Sequence, residues 1–245
     1  MKLFKTLAIL TIVLLAAGAA SADLKVVKMT HKDGFSMMGQ NQPPEDTEQT
    51  TWIGTDRLHM DQGATATIIR LDLKKLFVIN HNDKTYNVLD LPVKLEDFMP
   101  PGMAEQMKLM MTFEVTVTPS DESKAVGDWT AKRFDMKMTS KMMVMEAVMW
   151  AVEHPDLDTE AFYAMYEHMA SMQPGMAAAA TEMRKVNGLV VEQQAVMTMP
   201  MMGDVSIKTS EKTTSIETLD PPPGTYDPPA EYTEKEFDFM ASMQR

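Results

Sequence analysis

The chain contains no cysteine. Disulfides are therefore excluded as a source of stability, and thiols as nucleophiles or metal ligands, so the fold must rest on an ordinary apolar core. Lipid attachment at a cysteine behind an export leader is closed for the same reason. Positive charge is also scarce: 23 Lys and Arg stand against 35 Asp and Glu, for a net charge of −12. A surface of that sign repels nucleic acid and anionic lipid headgroups, and no basic patch offsets it. Catalytic signatures are missing too. There is no G-x-S-x-G elbow, no H-E-x-x-H and no glycine-rich phosphate loop. The five histidines, His31, His59, His81, His154 and His168, are scattered along the chain. Acidic pairs such as Glu45-Asp46 and Asp121-Glu122 fall in turn-like stretches and read as solvated surface. These absences point away from an enzyme and from a bound cofactor.

Long apolar runs are absent but for one. Leu7–Ala17 follows Lys2 and Lys5 and precedes Ala20-Ser21-Ala22. A basic start, a short apolar centre and a small-residue end are the three parts of an export leader, with cleavage expected after Ala22. The run is too short to span a bilayer, so no stable membrane insertion is expected once it is removed. Residues 1–22 are thus read as a signal peptide and the protein as exported to the periplasm.

What the chain has in excess is methionine, 27 of 245 residues. Methionine is a flexible apolar filler suited to adaptable surfaces, and its thioether is a soft ligand for Cu(I) or Ag(I). Position along the chain separates these uses. From Leu24 to Leu89 short β-branched or alternating segments are separated by turn residues: Leu24–Thr30, Gln49–Ile53, Arg57–Met60, Ala64–Leu71, Leu76–Asn80 and Thr85–Leu89. Gly54-Thr55-Asp56, Asp72–Lys75 and Asn82-Asp83-Lys84 supply the turns of an antiparallel meander. The proline-bearing stretch Gly39–Asp46 reads as a loop or hairpin tip. Then the period changes. After Pro100-Pro101, Met103, Met107, Met110 and Met111 recur at helical spacing. Strands follow over Phe113–Thr118, Trp129–Met138 and Met142–Val152. A second helix is expected over Asp158–Met172, capped by Asp158 or Thr159, with the stripe Phe162, Met165, Tyr166, Met169 and Met172. A third, short helix carries Met176, Ala179, Ala180 and Met183. Leu189–Met199 and Val205–Leu219 close the set of strands. A proline-punctuated tail ends in a short, potentially helical piece, residues 233–245.

Three methionine-striped helices interrupting antiparallel strands predict an α+β fold: a strongly curved antiparallel half-barrel sheet with about three helices over its concave face. Stripes of this kind fill a plain core as readily as they line a cavity. The ligand reading makes Met103, Met107, Met110, Met111, Phe162, Met165, Tyr166, Met169, Met172, Met176 and Met183 the walls of an apolar pocket. The metal reading instead uses Met197, Met199, Met201 and Met202, although Pro200 interrupts that strand. Met142, Met143, Met145 and Met149 form another dense group, and sacrificial oxidation of methionine needs no site at all.

The order of features carries a resemblance. It runs from the leader through Trp52-Ile53-Gly54-Thr55-Asp56-Arg57, Lys84-Thr85-Tyr86 and Asp128-Trp129-Thr130-Ala131-Lys132-Arg133-Phe134. It continues through Glu146–Trp150, Val186-Asn187-Gly188-Leu189-Val190-Val191 and Ser215-Ile216-Glu217 to Pro223-Gly224-Thr225-Tyr226 and Tyr232. The chain resembles periplasmic proteins of unknown function whose fold is similar to the lipoprotein carrier LolA and the mycobacterial lipid carrier LppX. The resemblance covers nearly all of residues 23–232, through loose motifs. It implies about eleven strands, a helical lid and an apolar cavity. It further implies a carrier of an acyl chain, lipid or lipidated protein, and an arginine such as Arg57 able to latch the lid; a solvated strand-end arginine is the plainer reading of that residue. The competing expectations are a soft-metal binder and a structural envelope protein without a ligand. Fold alone does not choose among them.

Overall fold

The computed structural model describes residues 22–37, 40–94, 98, 102, 112–171, 176–200 and 205–238. Five strands open the chain: β1 (Asp23–Lys32), β2 (Phe35–Met37), β3 (Gln40–Gln42), β4 (Glu45–Ile53) and β5 (Arg57–Asp61). β6 (Thr65–Arg70), β7 (Lys75–Asn80) and β8 (Thr85–Asp90) complete the first meander. Three longer strands follow, β9 (Glu114–Val126), β10 (Trp129–Thr139) and β11 (Val144–Val152). Helices α1 (Thr159–Ser171) and α2 (Ala177–Met183) come next, then β12 (Leu189–Met199), β13 (Val205–Leu219) and the two-residue β14 (Thr233–Glu234).

Twelve of these strands form one sheet in the order β14-β8-β7-β6-β5-β4-β1-β13-β12-β11-β10-β9, while β2 and β3 pair separately as a small hairpin. All ladders of the large sheet are antiparallel except β14 on β8. The sheet is open, with β14 and β9 at its edges. The turns after β6 and β7 each close on a lysine in the left-handed region, Lys74 at φ 53° and Lys84 at φ 51°.

The α+β half-barrel with about three helical covers is not what forms. The protein is mostly β, with two helices among the described residues and an unclosed twelve-stranded sheet. Two causes are visible. Strand β9 runs 13 residues, well beyond the Phe113–Thr118 that its apolar alternation marks, because polar residues on hairpin-linked strands still complete the backbone ladder. The stretch expected to supply the first helix, with Met103, Met107, Met110 and Met111, lies outside the described residues. The expected leader also lies outside them except for Ala22. In the tail, Thr233 and Glu234 extend the sheet and residues 235–238 carry no regular structure.

The sheet buries both faces at its β5–β8 end. Strand alternation sends Leu58, Ile69, Leu76 and Leu89 to one side and Ala66, Ile68 and Ile79 to the other. On the first side the core runs continuously from Leu89 on β8 to Val126 on β9 and takes in Met165 of α1. On the second side the proline-rich strap that follows β13 lies over the sheet. Tyr226 packs with Ile68 and Ile79, and Tyr232 joins them before the chain pairs with β8. The strap is pinned by buried Asp23 and Tyr226 together with the part-exposed Arg57. The Tyr226 hydroxyl donates to Asp23 Oδ2 at 2.7 Å, Arg57 Nη2 lies 3.4 Å from the same oxygen, and the guanidinium stands 4.7 Å from the Tyr226 ring centre. Arg57 therefore holds the C-terminal strap on the face away from the helices.

Candidate functional site

Helix α1 begins where Asp158 caps it, its carboxylate accepting from the Ala161 amide at 3.0 Å. The helix buries Met165 completely and Tyr163 and Ala170 nearly so. Four hydrogen bonds fix both helices to their surroundings. The Tyr163 hydroxyl donates to the carbonyls of Val186 and Gly188 just beyond α2. Glu182 accepts from the Val117 amide of β9 at 2.8 Å, and Arg184 reaches Glu167 at 2.6 Å. Gly188, at φ 138°, passes so close to β11 that a Cβ there would sit 2.1 Å from the Val152 carbonyl oxygen.

Between these helices and the sheet lies a hollow of about 320 Å³. Its sheet wall carries Met60, Met136, Met138, Met145 and Met149, and its helical wall Met169, Met176 and Met183. Phe162, Tyr163, Tyr166, Leu58, Ile53, Val26, Leu189 and Val190 complete most of the apolar lining. Met60 on β5 and Met136 on β10 are six strands apart in the sheet order. A flat sheet would separate them by about 29 Å at the usual strand spacing. Since both line one hollow, the sheet bends around the helices.

One stripe of the wall is polar. It crosses the four central strands: Gln49 on β4 pairs with Lys28 on β1, and Glu211 on β13 pairs with Gln193 on β12. Lys28 Nζ stands 4.0 Å from Glu211. Loss of water around the Lys28 ammonium pulls its pKa below the ordinary lysine value, and Glu211 opposes that fall only in part. Burial raises the Tyr166 phenol above its ordinary value, and the nearby Glu211 charge adds to the rise. Burial has the same effect on Tyr163. Both phenols stay protonated donors at neutral pH.

Of the residues expected to wall a pocket, Phe162, Tyr166, Met169, Met176 and Met183 line the hollow, whereas Met165 is packed beneath it. Met103, Met107, Met110, Met111 and Met172 lie outside the described residues. The sequence reading did not place the sheet methionines in the pocket wall: Met136 and Met138 on β10 were not singled out, and Met145 and Met149 on β11 were noted only as part of a dense methionine group. It also missed the polar stripe, whose members come together only through strand pairing.

Of the metal set, Met201 and Met202 lie outside the described residues, while Met197 and Met199 share one face of β12. Met197 pairs with Met145, which pairs with Met138, so three thioethers stand in one row across β12, β11 and β10. Among the described residues no group of three or more His, Asp or Glu side chains could hold a metal ion.

No protein-family model and no curated protein matches the chain. The site must therefore be read from its own chemistry. Its walls offer dispersion contacts from mobile, polarizable side chains and one short band of hydrogen-bonding groups. Among the described residues no helix is long and apolar enough to cross a membrane.

Proposed function

We propose that the protein is an exported, non-enzymatic periplasmic binder or carrier of an apolar molecule, held in the hollow between α1, α2 and the sheet. The observation that carries this reading is the concentration of eight methionines around one internal space. A core under no demand but stability is filled by side chains with defined rotamers. Methionine instead suits a wall that must adapt to occupants of different shape. The volume lies at the lower end of the range for small-molecule sites, and the lining is apolar with a few polar groups, as in such sites generally. The resemblance to lipoprotein and lipid carriers points the same way through sequence alone.

The test is native mass spectrometry of the protein isolated from the envelope fraction, followed by solvent extraction. A co-purifying amphiphile is expected, together with saturable binding of a neutral, polarity-sensitive naphthylamine dye. A protein without bound molecules that also leaves the dye unperturbed contradicts the reading.

The row of Met138, Met145 and Met197 favours a second reading, a soft-metal binder of the envelope. Titration with Cu(I) against a competing chelator tests it. Changing these three residues to Leu should abolish binding at this row, and affinity that survives the change excludes the row.

A further inference from the structure

The polar stripe says what kind of head group the hollow accepts, given that the hollow is a ligand site. Lys28 and Glu211 face the same space, but at 4.0 Å they stand beyond hydrogen-bond distance. Gln49, the cross-strand neighbour of Lys28, is already engaged. Its amide donates to Thr51 Oγ1 at 3.1 Å, and its oxygen accepts from Gln62 at 2.9 Å. The two side chains keep 23% and 34% of their surface exposed, so a head group entering between them replaces water as acceptor for the Lys28 ammonium and as donor for the Glu211 carboxylate. A group that inserts between them and does both satisfies the pair. A carboxylate or phosphate head would satisfy Lys28 and face the like charge of Glu211. An ammonium head would do the reverse. The remaining walls are mostly apolar, so part of that repulsion survives the water that reaches both side chains.

Volume limits the tail. At about 320 Å³ the hollow is at the lower end of the range for small-molecule sites, which suits one medium-length chain.

We propose that the hollow takes a single-chain amphiphile of medium length whose head is uncharged and both donates and accepts hydrogen bonds, an alcohol or primary amide, lodged between Lys28 and Glu211. The tail lies among Met136, Met138, Met145 and Met149 on the sheet side. The proposal rests on the ligand-site reading above, and its test separates the two.

The test is calorimetric titration of the protein at pH 7 with octan-1-ol, octanoate, octylammonium and octyl methyl ether. Octanol should bind at least tenfold more tightly than either ion, and more tightly than the ether, which accepts but cannot donate. In Glu211→Gln, octanoate should gain at least tenfold on octanol. In Lys28→Met, octylammonium should gain by a similar factor. The ether comparison uses the unaltered protein and stands even if a variant fails to fold. Equal affinity for all four compounds leaves a ligand site but overturns the head-group assignment, as does a preference for octanoate in the unaltered protein. Failure of all four to bind overturns both.

Discussion

Replacing Ala179 by Leu separates a ligand hollow from a plain core. Ala179 lies on α2, is almost fully buried, and lines the hollow. The substitution adds three carbon atoms pointing into it. At about 30 Å³ per group that is roughly 90 Å³, more than a quarter of the 320 Å³ present. If the space is unfilled, burying three more groups at about 0.8 kcal/mol each stabilises by up to about 2.4 kcal/mol, less the cost of ordering them. If the region is already packed, the same change strains the core and costs about 1–3 kcal/mol. The two cases differ in sign. Urea unfolding with an unchanged m value reads the stability, and naphthylamine displacement reads the remaining room. The expected outcome is unchanged or raised stability with dye and octanol affinity reduced at least tenfold. A loss of more than about 1 kcal/mol with ligand binding intact would refute the reasoning.

Other perturbations test the frame around the hollow. Tyr226→Phe removes the donor to the buried Asp23 carboxylate and should cost about 1.5–3 kcal/mol; thermal unfolding checks it, together with faster amide exchange along β8. Burial, reinforced by the Asp23 carboxylate, holds the Tyr226 phenol far above the ordinary tyrosine value, and burial does the same for Tyr163. The unfolded chain therefore releases these protons first. Their stabilisation is complete below about pH 10 and falls as pH rises beyond it, by about 1.4 kcal/mol per pH unit per group; Tyr226→Phe should make that alkaline loss shallower. Burial lowers the pKa of His59, which lies near Asp61 and His81. Its contribution is thus present above about pH 6.5 and is lost on acidification, because the unfolded chain takes up the proton first. His59→Leu should flatten the stability profile below about pH 6.5. Gly188→Ala drives a Cβ into the Val152 carbonyl at a backbone angle that disfavours side chains, and a loss of about 3 kcal/mol or more is expected in urea unfolding.

The strands were legible because their local chemistry is consistent. Gly54-Thr55-Asp56 and Asn82-Asp83-Lys84 mark turns, and β-branched runs flank them, so β5 to β8 and the second half of β4 follow from the residues alone, whereas Glu45 and Asp46, read as part of a loop, open β4. The helical stripe of Phe162, Tyr166 and Met169 was legible as well, since a period near 3.6 gathers these side chains on one face of α1. The sheet half of the hollow was not read. Met136 and Met138, or Met145 and Met149, alternate as any half-buried strand does, and nothing local says that the opposing surface stands back from them. The approach of Lys28 to Glu211 joins residues 183 positions apart: the β1–β13 ladder sets Lys28 opposite Thr213 and Glu211 opposite Thr30, which makes the two diagonal neighbours, a relation fixed by register. The half-barrel expectation failed in part because strand length was under-read at β9: alternation marks Phe113–Thr118, yet the strand continues to Val126 through Ser123 and Lys124, whose side chains carry no apolar signal but whose backbones complete the ladder with β10.

Methionine methyl groups give the most direct test of the claim that this hollow receives an apolar molecule. With the methyl carbons labelled with carbon-13, octan-1-ol is titrated and each resonance is followed by NMR. Met60, Met136, Met138, Met145, Met149, Met169, Met176 and Met183 line the hollow, whereas Met29 and Met142 are exposed. Shifts that saturate with one affinity and fall on the lining methyls, leaving Met29 and Met142 in place, are expected. Shifts confined to the exposed methyls, or no shift at any lining methyl at saturating alcohol, contradict it.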